Sequence, residues 1–589
     1  MRTQVKATLR LFKKHIARFI TMLAIVVVSI GFSAGIGELE NKIRKGADNV
    51  YREHNVADLY LKSKHEFGFT QEELEIIYDR FANDDIEKAL TFEIPEEETA
   101  VRVHFLNIED KKVNKFELLE GRYPEQENEI LAERQTSVFK KIELGEKINI
   151  QGMEYTVCGF VYNPWYIFDE EEQSFQYEEK TLSAVLYVPL ENSPMTNDVF
   201  ISLSNREDRL FSSGYEDTVY ALKSEITSLL GEENVSVLSL YENIGMFTLV
   251  NYAGKVGLIS VIFIVFFVLV TLLVVYSTMA RLLEEERGQI ACQKTLGISD
   301  SKIIGKYVAF VGTAITVGGI VSYGVAMVLT SLLYNGFNMQ YRMPTMPALS
   351  SVSYYPIFFG VIFVSSVLLT FVSGKKLVSQ KPATLLTPKA PKSGKKVILE
   401  KIPLFWNRLS FKYKSTLRNV LLFKSRFLMT VVSVIGSTVL VFMGVGLLDC
   451  VLKEDNALSL IAISSALVVF SAVLCALVVY NLTNINVSER KREIATLMVL
   501  GYQDREVSGY IFREIYIMSI IGALLGLPFG VVFLDFAFNF IDYGRLADVT
   551  LRTYLLTPCL TVLFSFIATL LLRKKITSTD MNASLKTVE

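Results

Sequence analysis

Eight apolar runs, each long enough to cross about 30 Å of hydrocarbon as a helix, confine this chain to a membrane. The first is uncharged from Phe19 to Gly37; the others fall near residues 256–280, 305–334, 352–373, 427–448, 458–482, 509–536 and 551–572. A hydrophobic content of 51% and a mean hydropathy of +0.34 agree with that placement. Ionisable residues in these runs keep to the ends, with Lys306, Arg513 and Glu514 on one side and Asp535 on the other. Ion carriers more often place acids or bases near the midplane. A cleaved signal peptide competes for the first run, but the second half of the chain repeats it, which argues for a retained span.

The net charge of -2 conceals a sorting of charge along the chain. Residues 38–250 hold 44 of the 62 acidic residues and only 21 basic ones, whereas residues 374–426 hold 14 basic residues and one acid, Glu400. Basic residues are retained on the cytoplasmic side of a membrane. Six of them, Arg2, Lys6, Arg10, Lys13, Lys14 and Arg18, precede the first run. The predicted topology therefore has both termini inside and residues 38–250 outside. The predicted order is an amphipathic segment with the first span (1–37), the outer domain (38–250), and spans two to four (251–373). A basic cytoplasmic linker (374–426), spans five to eight (427–573) and a cytoplasmic tail (574–589) follow. Alternation at Lys147–Ile150, Tyr155–Val161 and Leu182–Val188, with helical patterns at Gln71–Ala82 and Val219–Leu230, makes the outer domain mixed α/β.

Two charged stretches between apolar runs are copies of one another. EEERGQIACQKTLGISDSKI (284–303) and SERKREIATLMVLGYQDREV (488–507) align without a gap at an offset of 204. Each reads as a short helix, a corner at Gly297 or Gly501, and a second helix capped by Asp300 or Asp504. Leu11-Phe12-Lys13 likewise matches Leu422-Phe423-Lys424 at an offset of 411. The difference of 207 residues between the offsets is the extra length between the first two spans. The chain is thus predicted to be two four-helix units, of which only the first carries a large outer domain. Small residues at packing intervals, Gly522, Gly526 and Gly530 in the seventh span and Ser29, Ser33 and Gly37 in the first, predict close helix contacts.

Other chemistry is thinly represented. His15, His54, His65 and His104 form no spaced ligand set, the five cysteines form no metal or disulfide pattern, and no phosphate-binding GxxxxGK[ST] occurs. The acidic run Asp169–Glu172 reads as an exposed loop. No catalytic, cofactor or metal site, and no nucleic-acid partner, is expected.

With ERKREIATLMVLGY (489–502), LLEGRYPEQENEILAE (118–133), LGEKINIQGMEYTVCGFV (144–161) and the linker at 387–427, the chain resembles the FtsX/MacB-type permeases of ABC transporters. The likeness is to their two-unit form in Gram-positive bacteria. That resemblance implies a non-catalytic membrane subunit driven by two copies of a separate cytoplasmic ATPase, which would bind the ATP. It implies docking of the ATPase on the two corners, through Glu285, Arg287, Ile290, Leu296 and Gly297 in the first. The second would use Glu489, Arg490, Arg492, Glu493, Ile494, Leu497, Leu500 and Gly501, with Ile494, Leu497 and Met498 as its apolar face. Movement would pass to the outer domain, for export or extraction of an amphiphilic peptide, lipid or antibiotic. The alternative is a lever that moves no cargo and regulates a cell-wall hydrolase or a sensor kinase. Larger relatives carry an outer domain in both units; here the second is absent.

Overall fold

The computed structural model describes residues 2–134, 140–167, 180–190, 195–206, 210, 212–338, 346, 351–386, 410–422, 424–453 and 458–577. The Asp169–Glu172 run, linker residues 387–409 and 423, and tail residues 578–589 lie outside them. Among the described residues, eight helices are long and apolar enough to cross a membrane: Ile16–Glu53, Ile244–Glu285, Asp300–Phe337, Tyr355–Val378, Phe427–Val451, Leu460–Ser488, Glu506–Ile541 and Leu551–Arg573. Several overrun their apolar runs. At 1.5 Å per residue, the 42 residues of Ile244–Glu285 make a helix of about 63 Å, twice the hydrocarbon thickness. Apolar length marks only the portion that lipid surrounds, so helix ends that continue into water leave no mark in hydropathy.

Residues 40–255, with Tyr334–Met346, form one compact unit. Its ten-stranded sheet comprises β1 (Leu59–Ser63), β2 (Asp85–Pro95), β3 (Thr99–Leu106), β4 (Glu117–Gly121) and β5 (Glu129–Glu133). The remaining strands are β6 (Lys147–Ile150), β7 (Met153–Tyr162), β8 (Thr181–Pro189), β9 (Asp198–Ser202) and β10 (Val235–Ser239). They lie in the order β10-β1-β9-β2-β3-β8-β5-β7-β4, with β6 also on β7. The β3–β8 and β5–β7 pairs are parallel and the others antiparallel. Alternation exposes only half-buried strands. β9 is buried along its whole length, and it is among the strands that period-two patterning misses. Helices Gln71–Arg80 and Ser213–Leu230 accompany the sheet.

The remaining chain, residues 1–39, 256–333 and 347–589, forms the helical unit. Its two halves pack alike. A Cβ at Gly522 would stand 2.7 Å from Val434, at Gly526 2.8 Å from Thr438 and at Gly530 2.9 Å from Phe442. The seventh span therefore lies against the fifth at a distance only glycine permits. In the first half a Cβ at Gly318 would meet Val26 at 3.1 Å and the Leu23 carbonyl at 3.2 Å. Gly522 meets Val434 and the Val431 carbonyl in the same way. Gly318 and Gly522 are 204 residues apart, but Val26 and Val434 are 408 apart, as are Leu23 and Val431. The repeat within the first span thus runs at 408, not at 411. The offset of 411 holds only for Leu11-Phe12-Lys13, and three additional residues stand between it and Arg18-Phe19, the counterpart of Arg426-Phe427. The close contacts of the first span on the third come from Gly31 and Gly35, rather than from the Ser29-Ser33-Gly37 row. Ser29 instead donates to the Phe267 carbonyl in the second span.

The halves join crosswise. Phe32 of the first span meets Phe470 of the sixth with ring centroids 5.2 Å apart, and Gly436 of the fifth faces Val270 of the second. At one end the seam is polar: Thr21 Oγ1 donates to Asn481 Oδ1 (3.1 Å), and Asn481 Nδ2 donates to Thr278 Oγ1 (2.9 Å). Periodicity does not anticipate this seam, because a helix buried all round has no polar face to reveal. Gly526→Leu should cost about 1–3 kcal/mol or block folding, since the Thr438 side it would enter is filled. Gly509→Ala meets nothing within 4 Å and should be neutral or stabilising. Thermal unfolding of the two purified variants checks the contrast.

Candidate functional site

Each charged copy folds as a short corner helix, Arg287–Thr295 in the first and Lys491–Val499 in the second. Each ends on a glycine with positive φ, +76° at Gly297 and +88° at Gly501. In that left-handed conformation the amides of the next residues turn back: Ile298 N donates to Gln293 O, and Tyr502 N to Leu497 O. The following spans begin at Asp300 and Asp504. These aspartates are the first helical residues, not the caps that the sequence suggests. Ser299 and Gln503 occupy the cap positions, and the Glu506 carboxylate accepts from the Gln503 amide.

The apolar face of the corner helices points inward. Ile290 and Ile494 are both fully buried, Ile290 among Leu11, Met279, Leu283 and Tyr307 and Ile494 among Val431, Val507 and Ile511. Leu497 and Met498 pack on the same cluster as Ile494. The i, i+3, i+4 pattern therefore marks an anchor to the bundle, which corrects its reading as a face open to a partner. What the corners leave open is their tips. Leu296 is 78% exposed and its counterpart Leu500 is 69% exposed, with Val499 and Tyr502 also in the open. An apolar side chain is costly to leave in water at one such tip, and here the cost is incurred twice at equivalent positions.

The charges are divided in the same way between anchoring and exposure. Glu285 takes two hydrogen bonds from the Arg18 guanidinium, at 2.8 and 2.5 Å. Glu286, with its side chain 1% exposed, accepts from Lys14 Nζ (2.7 Å) and lies 3.2 Å from His15 Nε2. Arg287 donates to the Thr384 carbonyl and Lys294 to the Val378 carbonyl, which ties the first corner to the end of the fourth span and to the short helix Pro382–Leu386 after it. In the second corner, Arg490 is buried and forms a two-pronged pair with Glu514, one contact at 2.7 Å. Arg490 is thus turned away from the docking surface that the resemblance implies for it, whereas Glu493 is open to solvent. The side chains of Glu489 and Arg492 lie outside the described residues. Sequence reasoning missed Lys14, His15, Arg18 and Glu514 as partners of the corners. The Arg-Phe pair at 18–19 and 426–427 was the signal available.

The outer unit holds a cavity of about 450 Å³ lined by Ile108, Phe116, Tyr123, Pro124 and Pro189, with Lys111 and Lys115 among its polar groups. Lys111 is committed to an ion pair with Glu87. Among the described residues no group of three or more His, Cys, Asp or Glu is placed to hold a metal ion.

In comparison with known proteins, the family model for the FtsX-like permease C-terminal domain matches twice, at residues 261–382 and 465–581. The matches begin 204 residues apart, and each contains one corner. No curated protein matches the chain.

Burial alone would raise the Glu286 carboxyl, but the bonds from His15 and Lys14 outweigh it and hold the group down at about 2. A carboxyl depressed in the folded state stabilises above its unfolded value, and that contribution is lost as pH falls toward the folded one. Acidification from about pH 4.5 to pH 2 should therefore loosen the first corner, by as much as about 3 kcal/mol. Glu286→Gln should lower stability at pH 7 and flatten the dependence below pH 4.5; thermal midpoints of both proteins across that range measure it.

Proposed function

The chain belongs to the FtsX-like permease family, and from that premise we propose that it couples ATP hydrolysis in two copies of a cytoplasmic ATPase to movement of residues 40–255. FtsX-like permeases work with cytoplasmic ABC ATPases, and this multi-pass chain has an ABC permease role. The observation that carries the coupling reading is the duplicated corner, with a left-handed glycine and an exposed leucine repeated at 296–297 and 500–501. A rigid tip that presents one large apolar side chain suits insertion into a pocket of a moving partner. Two such tips suit two copies of the ATPase. The Ile290 and Ile494 anchors would carry the movement into the bundle, since interiors as tightly packed as these transmit strain.

The cargo reading is export or extraction of an amphiphilic peptide, lipid or antibiotic, supported by the part-apolar cavity beside Phe116 and Tyr123. The lever reading, acting on a cell-wall hydrolase or sensor kinase, is supported by spans whose ionisable residues keep to their ends. Capture of lipid or of a stable protein by the purified complex separates the two. ATP would be held by the partner alone.

Leu296→Asp with Leu500→Asp should abolish co-purification of the ATPase while insertion and thermal stability stay near wild type, because both side chains already face water. Retention of the ATPase with unchanged stimulated hydrolysis would refute docking at the tips. In the orientation proposed here, with the corners in the cytoplasm, Cys292 is exposed on the inner side. An impermeant thiol reagent should label it in inverted vesicles and leave it untouched in intact cells.

A further inference from the structure

The two corners are equivalent in sequence and backbone, yet their buried charges have exchanged sign. Glu286 and Arg490 occupy the same position of the repeat, 204 residues apart, and each side chain is almost wholly buried. A buried charge must be paired, so the inversion forces a change of partner. Glu286 turns to Lys14 and His15, at the head of the first span. Arg490 turns to Glu514, in the seventh.

A second position of the repeat has changed in step. The counterpart of Glu514 is Phe310, also 204 residues earlier. In place of an ion pair to the corner, Phe310 packs on Phe12 and Phe19, with ring centroids 5.0 and 5.6 Å away. Both changes in the first half strengthen contact with the first span, and Arg18 adds its two bonds to Glu285. Both changes in the second half strengthen contact between corner and seventh span.

From these pairings we infer that the two corners drive different helices: the first is clamped to the first span by Arg18, Lys14 and His15, and the second to the seventh by Glu514. These four are positioning residues, acting through the corners. The inference rests on the coupling reading above and sharpens it. Of the two clamped helices, the first span leads directly into residues 40–255, whereas the seventh is followed only by the short loop before the eighth. A movement of the first corner would therefore reach the outer domain, and a movement of the second would be spent within the bundle.

Hydrogen exchange on the purified full-length protein tests the clamps without any ATPase. Arg18→Glu should speed exchange of Arg287–Thr295 about tenfold, the change expected for about 1.4 kcal/mol of local stability, and leave Lys491–Val499 unaltered. Adding Glu285→Arg should restore slow exchange by reversing the pair. Glu514→Gln should do the opposite, loosening the second corner alone. Should Arg18→Glu fail to fold, Arg18→Gln replaces it with the same expected pattern. Equal loosening of both corners, of neither, or failure of the reversed pair to rescue would overturn the assignment. With the ATPase bound, Arg18→Gln should also reduce the ATP-dependent change in exchange of residues 40–255 by about fivefold or more, whereas Glu514→Gln should largely spare it; equal effects would overturn the division of roles. If the leucine-tip variants retain the ATPase, the docking reading fails separately, because exchange in the isolated permease does not depend on it.

Discussion

Hydrocarbon offers no hydrogen bonds, so the backbone amides and carbonyls of the membrane-crossing segments must be paired within the protein. That constraint produces eight helices, gathers the charges at their ends and makes the corners the places where backbone can turn. It also explains the polar seam. Thr21, Thr278 and Asn481 are fully or nearly buried where the halves of the bundle meet, and Asn481 bonds to both threonines across the seam. Such a contact favours one register, because a shift of either half would leave the buried Asn481 amide without the threonines it bonds.

The tightness of the glycine contacts has the complementary role. The fifth and seventh spans touch so closely at Gly522, Gly526 and Gly530 that they cannot slide past one another without collision. Gly318 holds the third span to the first in the equivalent way. Within each half the helices thus behave as a packed pair.

The sequence made the membrane class, the eight spans and the twofold repeat legible, because apolar length and duplicated charged strings are properties of one stretch at a time. It also located the corners, since a glycine before an aspartate is a local signal of a helix end. What it did not disclose was direction. Ile290 and Ile494 have the spacing of an amphipathic face, but spacing cannot say whether that face meets a partner or the chain's own core. The pairing of Glu286 with Lys14 spans 272 residues, and no local pattern contains it. The correction of the first-span offset from 411 to 408 came from packing, since the three additional residues between Lys13 and Arg18 leave each flanking string intact.

The exchanged charge at positions 286 and 490 has a consequence for the history of the gene. Duplicated halves are prone to copy segments from one another, which erases their differences. Copying the second corner into the first would set an arginine beside Lys14 and His15 and strand a buried cation; copying in the other direction would place Glu286's carboxylate opposite Glu514. Each exchange confined to the corner leaves like charges in contact, so neither corner can take the other's place without its partners.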